Sequence, residues 1–586
     1  MKPIFIGKGE SNALLNLTTG TASDAEKIFL TADDLKTHLH GIGAPRQGKS
    51  KLMEWIAREL ITQQHGFCLI DPHGQLYEDV LNFVAYMQNP AQEVILFDPS
   101  YEQRIVGFNP FRPQPGDVST QADRLVQSTV KAWRQRGTDE TPELERRMRS
   151  LFHACIELDL PVSVLQYLLD FQEKAIRESV AERVSDTLIR SQLKSLSLFK
   201  QLRDFEDHLG STMNRLFRFL HSRQVRRIFS LRDHCLDFQD IIENGKILLV
   251  NLQPKRGVLT MENARLIGTW LLSELWDYAS CRKRTGTGEP VSDFFVMIDE
   301  FQNFLIPNIG DILVQSPKYG LKFMLFHQYL DQLKEKDTDA FSAVMNAAQT
   351  KIVFGGLTDI DANFLVRELF PGEINLERIK FLNQQVEFWP VVGEATSYHE
   401  NETEGSSHTD ASGGSSGQNV ARGYSFGPGL DDWVNSDTTT TVDMSTNTSS
   451  DTTSSSRTTG RAVGPFIYPE KHFVQKAPVY FTMEENIHQL AGILRNQFQR
   501  HYFIRRPGKS TVAAIAPFVQ PNDLEPEILQ QYVEECLSGF LTPAEVDHAI
   551  EGIHEHLQLQ AGSGQLTHMD PEDVWEKKPL DAKAKN

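Results

Sequence analysis

The chain has 586 residues, of which 40% are hydrophobic and 23% charged, and its formal net charge is −19 at pH 7. No run approaches the roughly 18–20 apolar residues of a membrane span, the N-terminus lacks the core of a signal peptide, and five scattered cysteines argue against a disulfide framework or a zinc site. We therefore expect a cytoplasmic globular protein of about two to four domains, with no overall positive charge to attract nucleic acid.

The chain begins with a short lead-in, residues 1–34, and a predicted α/β domain follows in two parts, residues 35–111 and 236–399. Apolar runs of strand length recur in both parts, with helical patterns between several of them. Strands that alternate with helices indicate a mostly parallel sheet with helices on both faces. The predicted strands are Gly66–Asp71, Glu93–Asp98, Lys246–Leu252, Asp293–Asp299, Leu321–Phe326 and Thr350–Phe354, and a predicted helix covers Ala264–Tyr278.

A glycine-rich sequence lies near the start of this domain, between an apolar run and an amphipathic pattern. From Gly43 it matches G-x-x-x-x-G-K-[ST], the P-loop whose backbone N–H groups wrap nucleotide phosphates at a helix N-terminus. Lys49 is expected to reach the β- and γ-phosphates of ATP, and the Ser50 hydroxyl to hold Mg²⁺. Arg46 stands where many P-loops have glycine, and the alternative is an ordinary strand–turn–helix junction. The predicted phosphate-binding residues are Gly43, Ala44, Pro45, Arg46, Gln47, Gly48, Lys49 and Ser50.

Between the two parts of the α/β domain, residues 112–235 carry helical patterns and no strand signal, which predicts an inserted helical domain. Arginines are frequent there, and they would suit contacts with the phosphate backbone of DNA. The alternative, which we prefer for any single arginine, is a solvated helix face paired with neighbouring acidic residues. The arginines in question are Arg134, Arg136, Arg146, Arg147, Arg149, Arg223, Arg226 and Arg227.

The second part of the domain contains an apolar run that ends in two acids, Asp299 and Glu300. Carboxylates at the C-terminal end of a buried parallel strand lie where open α/β sheets bind ligands. Asp299 is then the Walker B carboxylate that holds Mg²⁺, and Glu300 the general base that polarises the attacking water. The alternative is a core strand with an exposed acidic end. Gln328, after the next strand, either senses the γ-phosphate as a third catalytic residue or simply starts the following helix.

The remainder of the chain changes character twice. Residues 400–464 are rich in serine, threonine and glycine and have few apolar side chains, which predicts a disordered insert. Residues 465–516 regain strand and helix patterns and are predicted to close the α/β domain. Residues 517–586 suggest a small helical tail with a loose C-terminus.

Several segments together resemble the FtsK/HerA superfamily of DNA-pumping ATPases, and within it the TraG/TraD-type coupling proteins of conjugation and type IV secretion. The similarity covers about residues 35–112 and 228–395. The segments that carry it are His38 before the P-loop, Leu69–Gly74 (LIDPHG), Phe97–Asp98, Gly107–Phe111 (GFNPF), Asp299–Phe304 (DEFQNF), Lys318–Leu321 (KYGL) and His327–Leu330 (HQYL).

The resemblance implies a RecA-like fold with an ASCE-type site, a homo-oligomeric ring of hexamer type, and ATP-driven movement of DNA held through its backbone phosphates. It gives Asp299, Glu300 and Gln328 the Walker B, catalytic-base and sensor roles. Two departures stand out. Membrane-bound coupling proteins carry N-terminal transmembrane helices, for which this sequence has no counterpart. Family members often have an arginine finger where this chain has Pro317, so the finger is either Lys318 or elsewhere.

These features favour an ATP-driven DNA translocase or coupling ATPase of the conjugative type, with a relaxase or a secretion channel as partner. The alternative is a regulatory or assembly ATPase of HerA type that partners an effector such as a defence nuclease, which the acidic composition favours slightly. A P-loop kinase is a weaker third hypothesis, because an Asp-Glu pair with a downstream glutamine is more typical of hydrolases.

Overall fold

The computed structural model describes residues 1–10, 26–87, 92–114, 116–133, 142–282, 292–407, 415–425, 434–444, 452–522 and 524–563. The chain forms two compact units. The sheet unit combines Met1–Asn375 with Met483–Asn586, and the hairpin unit is Leu376–Thr482.

The strands of the described residues are, in chain order, β1 Ile4–Glu10, β2 Lys27–Leu30, β3 Leu39–Ile42, β4 Phe67–Asp71, β5 Val94–Phe97, β6 Ile247–Asn251, β7 Phe294–Ile298, β8 Leu321–His327, β9 Thr350–Phe354, β10 Ile379–Ser407, β11 Ser415–Ser425, β12 Val434–Met444, β13 Thr452–Tyr480, β14 His501–Arg505 and β15 Val512–Ile515.

The helices are α1 Lys49–Thr62, α2 Gln75–Tyr86, α3 Val118–Trp133, α4 Pro142–Glu157, α5 Leu165–Leu168, α6 Lys174–Arg183, α7 Thr187–Leu196, α8 Leu202–Leu220, α9 Arg223–Ile228, α10 Phe238–Glu243, α11 Met261–Cys281, α12 Ile309–Gln315, α13 Leu330–Lys336, α14 Thr338–Ala347, α15 Asp359–Leu369, α16 Met483–Arg495, α17 Pro526–Leu537 and α18 Pro543–Ser563. Among the described residues, no helix combines the length and hydrophobicity that a membrane span requires.

Eleven strands form one sheet in the order β2-β1-β15-β14-β9-β3-β8-β7-β4-β6-β5. The seven strands from β9 to β5 are parallel, and β14, β15, β1 and β2 extend one edge in antiparallel pairs. Strand β8 lies between β3, which precedes the P-loop, and β7, which precedes the acidic pair. This mostly parallel arrangement confirms the predicted α/β fold class.

Hydrophobic residues cover both faces of the sheet. Neighbouring residues of a strand point to opposite faces, and in β14 the buried Tyr502 belongs to one hydrophobic cluster and the buried Phe503 to another. The cluster around Phe503 gathers side chains of α15 and α16, whereas Tyr502 belongs with residues of α1. Burial on both faces explains why the parallel strands read as continuous apolar runs in the sequence.

The helices between β5 and β6 are continuous with the sheet unit, which differs from the predicted separate helical domain. On α3, Ser128 Oγ lies 2.9 Å from Ser273 Oγ of α11, and Thr129 Oγ1 accepts a hydrogen bond of 3.0 Å from Trp270 Nε1. Helices α3 to α9 share a single hydrophobic cluster with the sheet. The absence of strand signal correctly indicated helices. It did not indicate a separate domain, because these helices share their hydrophobic core with the sheet.

The ends of the chain also join the sheet unit more closely than the sequence predicts. The predicted lead-in, residues 1–34, contributes β1 and β2 to the antiparallel edge, although residues 11–25 lie outside the described part. The predicted helical tail contains α17 and α18, and Arg227 of α9 donates to Asp547 of α18 at 2.6 and 2.8 Å. Residues 564–586, the predicted loose C-terminus, are outside the described residues.

The hairpin unit differs from the predicted boundaries and from the predicted disorder. Strands β10 and β13 pair antiparallel from Ile379↔Tyr480 to Ser407↔Thr452, and β11 and β12 continue the sheet. The unit begins at Leu376, inside the predicted second part of the α/β domain, and it takes up residues 465–482 as well. Low hydrophobicity argues against a buried core, but an antiparallel ladder satisfies backbone hydrogen bonds without one, and the β-branched threonines suit a strand. Residues 408–414, 426–433 and 445–451 of the predicted insert lie outside the described part.

Candidate nucleotide-binding site

The predicted P-loop connects the end of β3 to the start of α1 at the C-terminal edge of the parallel strands. Gly48 has φ 109°, a left-handed conformation that favours glycine, and a Cβ there would lie 3.3 Å from Arg500 Cα. A Cβ on Gly43 would lie 2.5 Å from Phe354 Cβ. Arg46 has φ 65°, which explains why glycine is common at its position in other P-loops. Gly48 is thus favoured by its left-handed backbone, and Gly43 by the close approach of Phe354.

Lys49 links the loop to the acidic pair after β7. Its Nζ lies 3.4 Å from Asp299 Oδ1 and 3.1 Å from Glu300 Oε1. The three side chains are 5–6% exposed, so the two negative charges are held close to one buried positive charge. The predicted P-loop and Walker B elements therefore meet, although about 250 residues of sequence separate them.

Glu300 is held in place from several sides. Its Oε1 accepts a hydrogen bond of 2.7 Å from Gln328 Nε2, and its Oε2 accepts one of 2.6 Å from Gln302 Nε2. Burial by itself raises the pKa of Glu300, but Lys49 and the two amide donors outweigh burial and lower the pKa below its usual value. The backbone of Glu300 is left-handed, with φ 49°, which turns the chain sharply after β7. Glu300 is thus an ionised, oriented carboxylate.

Asp299 and Ser50 form the oxygen pair that was predicted to hold Mg²⁺. Ser50 Oγ lies 3.5 Å from Asp299 Oδ2, and Asp299 N donates to Ile70 O of the neighbouring strand at 3.1 Å. Burial raises the pKa of Asp299, and the neighbouring Lys49 opposes that rise. One carboxylate and one hydroxyl fit Mg²⁺, which usually keeps several waters and takes further oxygens from phosphates.

A buried histidine pair lies behind the site. His40 of β3 and His327 at the end of β8 meet edge to edge: their ring planes differ by 17°, their centres are 4.8 Å apart, and their Nε2 atoms are 2.5 Å apart. Burial lowers the pKa of His327 to about 4 and the pKa of His40 well below its usual value, so both rings are neutral. His327 Nδ1 donates to Tyr329 O at 3.0 Å, which leaves its Nε2 as the acceptor and makes His40 Nε2 the donor. The pair joins the P-loop strand to the residue that precedes Gln328.

The structure brings Lys49, Ser50, Asp299, Glu300 and Gln328 together. Gln328 lies before α13, which begins at Leu330, and its side chain points back to Glu300, so it does more than start a helix. Lys318 is exposed in a short turn, Ser316–Tyr319, and none of the described contacts joins it to this cluster. Whether the finger is Lys318 or another residue stays unassigned.

Sequence reasoning missed three residues near the cluster. Gln302 lies in the DEFQNF segment, two positions after Glu300, and this proximity was the signal that could have found it. His73 of the LIDPHG segment has its Nε2 4.0 Å from Glu300 Oε1. Arg500 donates its backbone N–H to Gln47 O at 2.8 Å. No local pattern identifies Arg500, because it follows the P-loop by about 450 positions.

Other predicted residues have structural roles. His38, with φ 71°, accepts a 2.9 Å hydrogen bond from Phe323 N and donates to Leu313 O at 2.7 Å. Arg223 and Arg227 pair with Asp547, Arg146 and Arg147 with Glu143, and Arg149 with Asp123. These ion pairs agree with the alternative of paired helix faces. Arg134 and Arg136 lie outside the described residues.

The acidic pair and Gln328 fall in a segment with recognisable relatives. Residues 293–366 match the family described as the TraM recognition site of TraD and TraG. Over this segment the chain is similar to TraG and TraD. The matching segment runs from β7 into α15 and therefore carries Asp299, Glu300, Gln302 and Gln328. The resemblance seen in the DEFQNF, KYGL and HQYL segments is confirmed.

Solved structures with similar chains include conjugation and secretion proteins. The bacterial conjugative coupling protein TrwBdeltaN70 in an unbound form is 14% identical, with 90% of this chain and 96% of that chain covered and a TM-score of 0.47. The plasmid coupling protein TrwB in complex with ADP and Mg²⁺ is 13% identical, with the same coverage and a TM-score of 0.49. VirB4 of Thermoanaerobacter pseudethanolicus is 12% identical, with 62% and 87% covered and a TM-score of 0.40. No curated protein sequence is significantly similar to the chain.

Proposed function

We propose that this protein is an ATP-driven DNA translocase, a coupling ATPase of the conjugative DNA transfer type. The observation that carries the proposal is the contact of Lys49 with both Asp299 and Glu300, with Gln328 bonded to the same Glu300 oxygen. A lysine in a P-loop, a carboxylate for Mg²⁺, a second carboxylate for water and an amide beside it are the parts that nucleotide hydrolysis requires.

Each residue has a distinct role in this proposal. The backbone N–H groups of Arg46–Ser50, at the N-terminus of α1, would bind the phosphates, and Lys49 would move from the carboxylates to the β- and γ-phosphates. Gly43 and Ala44 instead donate their N–H groups to His327 O and Gly355 O. Ser50 and Asp299 hold Mg²⁺, which when bound neutralises charge on the phosphate oxygens. Glu300 accepts a proton from the attacking water, and Gln328 orients Glu300 and reports whether the γ-phosphate is present.

Lys49 also supplies a simple switch for the base. While Lys49 contacts Glu300, it lowers the pKa of that carboxylate and weakens it as a proton acceptor. Phosphates that attract Lys49 away would raise the basicity of Glu300 only when substrate is in place. Turnover would thereby depend on correct binding.

The similarity to TraG and TraD supports a proposal for the wider assembly. We propose a homo-oligomeric ring, hexameric in type. In this ring a basic side chain of a neighbouring subunit would act as the arginine finger and stabilise charge on the transferring phosphoryl group. DNA would be gripped through its backbone phosphates without sequence preference. TraM recognition, the role by which the matching family is described, makes a DNA-processing complex that includes a relaxase the expected partner.

The test is the rate of ATP hydrolysis by the full chain with and without double-stranded DNA, from low to high salt. We expect DNA to stimulate hydrolysis and the stimulation to fade as salt rises, because phosphate contacts release counterions. Hydrolysis that ignores DNA at every salt concentration, yet responds to a nuclease partner, would replace the motor with the regulatory ATPase.

A further inference from the structure

The P-loop fixes the direction in which a nucleotide would lie. Strand β3 has β8 on one side and β9 on the other, and Glu300 and Gln328 lie toward β8 and β7. The terminal phosphate must point to these residues, where water would attack. The nucleoside end, which still needs a binding surface, must therefore extend away from them, toward the side of the loop that faces β9 and β14.

A turn from the distant C-terminal part of the sheet unit covers that side. Arg500, which precedes β14, donates its backbone N–H to Gln47 O at 2.8 Å, and its Cα would lie 3.3 Å from a Cβ on Gly48. Arg500 O accepts from Ala516 N at 2.9 Å, and Arg500 Nη2 donates to Ala516 O at 2.6 Å. Farther along the chain, Gln520 O accepts a hydrogen bond of 3.1 Å from Arg58 Nη1 on α1. The segments around Arg500 and Ala516 are thus fixed to the P-loop and its helix.

These two segments present aromatic rings to solvent. Phe498 is 78% exposed and Phe518 is 65% exposed, and they are the most exposed phenylalanine, tyrosine or tryptophan side chains in the described part of the sheet unit. Arg500 Cζ lies 5.5 Å from the centre of the Phe518 ring. Phe498 also lines a cleft of about 570 Å³ between α16, β14 and β15. Phe518 therefore lies against Arg500, the residue that packs on Gly48, and Phe498, two positions before Arg500, has concave apolar surface beside it.

Exposed aromatic rings at such a place suit a flat, apolar ligand. Burying a ring under a nucleobase removes apolar surface from water, and base–aromatic stacking contributes about 1–3 kcal/mol per base. Stacking is nearly independent of base identity, because every base has a π face.

We propose that Phe518, which contacts Arg500, and Phe498, two residues before Arg500, form the subsite that holds the nucleobase of the bound triphosphate. The base stacks on Phe518 without selection by base identity, so ATP and GTP bind with similar affinity. This inference rests on the proposed nucleotide site at Lys49 and specifies where the rest of that ligand lies.

The test compares two ligands that share the phosphates but not the base. Calorimetry on the full chain would measure binding of ATP and of inorganic tripolyphosphate, each with Mg²⁺. Phe518→Ala is expected to weaken ATP about tenfold, the loss of one stacking contact, and to leave tripolyphosphate unchanged. Phe518→Trp should restore ATP affinity. Phe473→Ala in the hairpin unit is the matched control, since that ring is 69% exposed and lies in the other unit.

The outcomes separate this inference from the proposed function. If Lys49→Ala abolishes binding of both ligands while the Phe498→Ala/Phe518→Ala double variant binds ATP as the unchanged protein does, the base subsite is overturned and the nucleotide site stands. Equal weakening of ATP and tripolyphosphate in the double variant also overturns the subsite, because it indicates a distorted P-loop. If Lys49→Ala still binds ATP normally, the nucleotide site itself is refuted.

Discussion

The sheet unit and the hairpin unit hold their strands together in different ways. In the sheet unit, strands of four to seven residues are mostly buried, and six of them (β3, β4, β6, β7, β8 and β9) have every residue buried. In the hairpin unit, β10 and β13 are each 29 residues long, yet large side chains such as Phe388 and Ile467 are 58% and 70% exposed. Short strands are stabilised by packing, whereas the long ones depend mainly on backbone hydrogen bonds.

This difference decides where chemistry is possible. The pKa of an ionisable group shifts most, and its interactions with other charges are strongest, where water is excluded. Lys49, Asp299 and Glu300 are at most 6% exposed. Among the hairpin-unit residues whose exposure the structure describes, none is buried. We therefore expect substitutions at buried charges of the sheet unit to have large effects, and changes in the hairpin unit to leave nucleotide chemistry intact.

The largest expected effect follows from Lys49→Ala. The substitution removes the cation that contacts both carboxylates and that would bind the phosphates, so nucleotide affinity should fall by about 100-fold or more. Lys51→Ala is the matched control, because Lys51 is half exposed and pairs with Glu54 and Asp79 instead. Equal affinity of the two variants in an ATP-binding titration would contradict the site.

Glu300→Gln should separate binding from turnover. The amide keeps the shape of the side chain but cannot accept a proton, so ATP should still bind while hydrolysis slows by about a thousandfold. Single-turnover and binding measurements on the same sample check this. Normal hydrolysis by Glu300→Gln would show that another group is the base.

The histidine pair should connect stability with turnover. His40→Leu leaves His327 Nε2 as a buried acceptor without its donor, which should lower the free energy of unfolding by about 2 kcal/mol. Because Gln328 follows His327, kcat should fall more than ATP affinity. His65→Leu, a half-buried histidine before β4, is the control. A change in thermal midpoint alone, with kcat unaltered, would limit the pair to a structural role.

A buried acid on α11 gives a pH dependence. Burial raises the pKa of Asp277 to about 6 from 3.8, although Arg124 Nη1 lies 2.8 Å from its Oδ1. Between these values the folded state binds more protons than the unfolded state, so this contribution to stability is lost as pH rises, at a cost of about 2–3 kcal/mol above pH 6. Asp277→Asn should therefore reduce the drop in thermal midpoint between pH 5 and pH 7.5.

Glu394→Gln, an exposed carboxylate of the hairpin unit, is the control for the loss of one negative charge. An unchanged drop in midpoint in Asp277→Asn would refute the role of burial at this position.

The smallest effect is expected from shortening the hairpin. Val386 and Phe473 are partners in the β10–β13 ladder, so residues 387–472 can be replaced by a two-residue Asn-Gly turn. The hydrophobic clusters of the sheet unit contain none of the removed residues. ATP hydrolysis and the thermal midpoint of the sheet unit should stay as they are. Lost hydrolysis would mean that the two units depend on each other.

Local sequence predicted much of the sheet unit. The predicted strand Thr350–Phe354 coincides with β9 to the residue, and the other five predicted strands agree to within one residue at each end, because burial on both faces leaves an uninterrupted pattern. The same logic failed for residues 400–464, where strand pairing produces no apolar pattern. Local sequence also predicted a separate domain for the helices before Cys235. That prediction failed because contacts such as Ser128–Ser273, which join these helices to the sheet unit, involve residues far apart in sequence.

The sequence by itself determined the chemical groups of this protein: a glycine turn that ends in Lys49 and Ser50, an apolar strand that ends in Asp299 and Glu300, and a glutamine after the next strand. Tertiary structure decided their relations. Only the strand order β3-β8-β7 places Lys49 against Glu300, and only the antiparallel edge brings Arg500 beside Gly48 and Phe518 beside Arg500. The reason is that residue type determines the chemistry of a side chain, whereas the packing of distant segments determines which groups that side chain contacts.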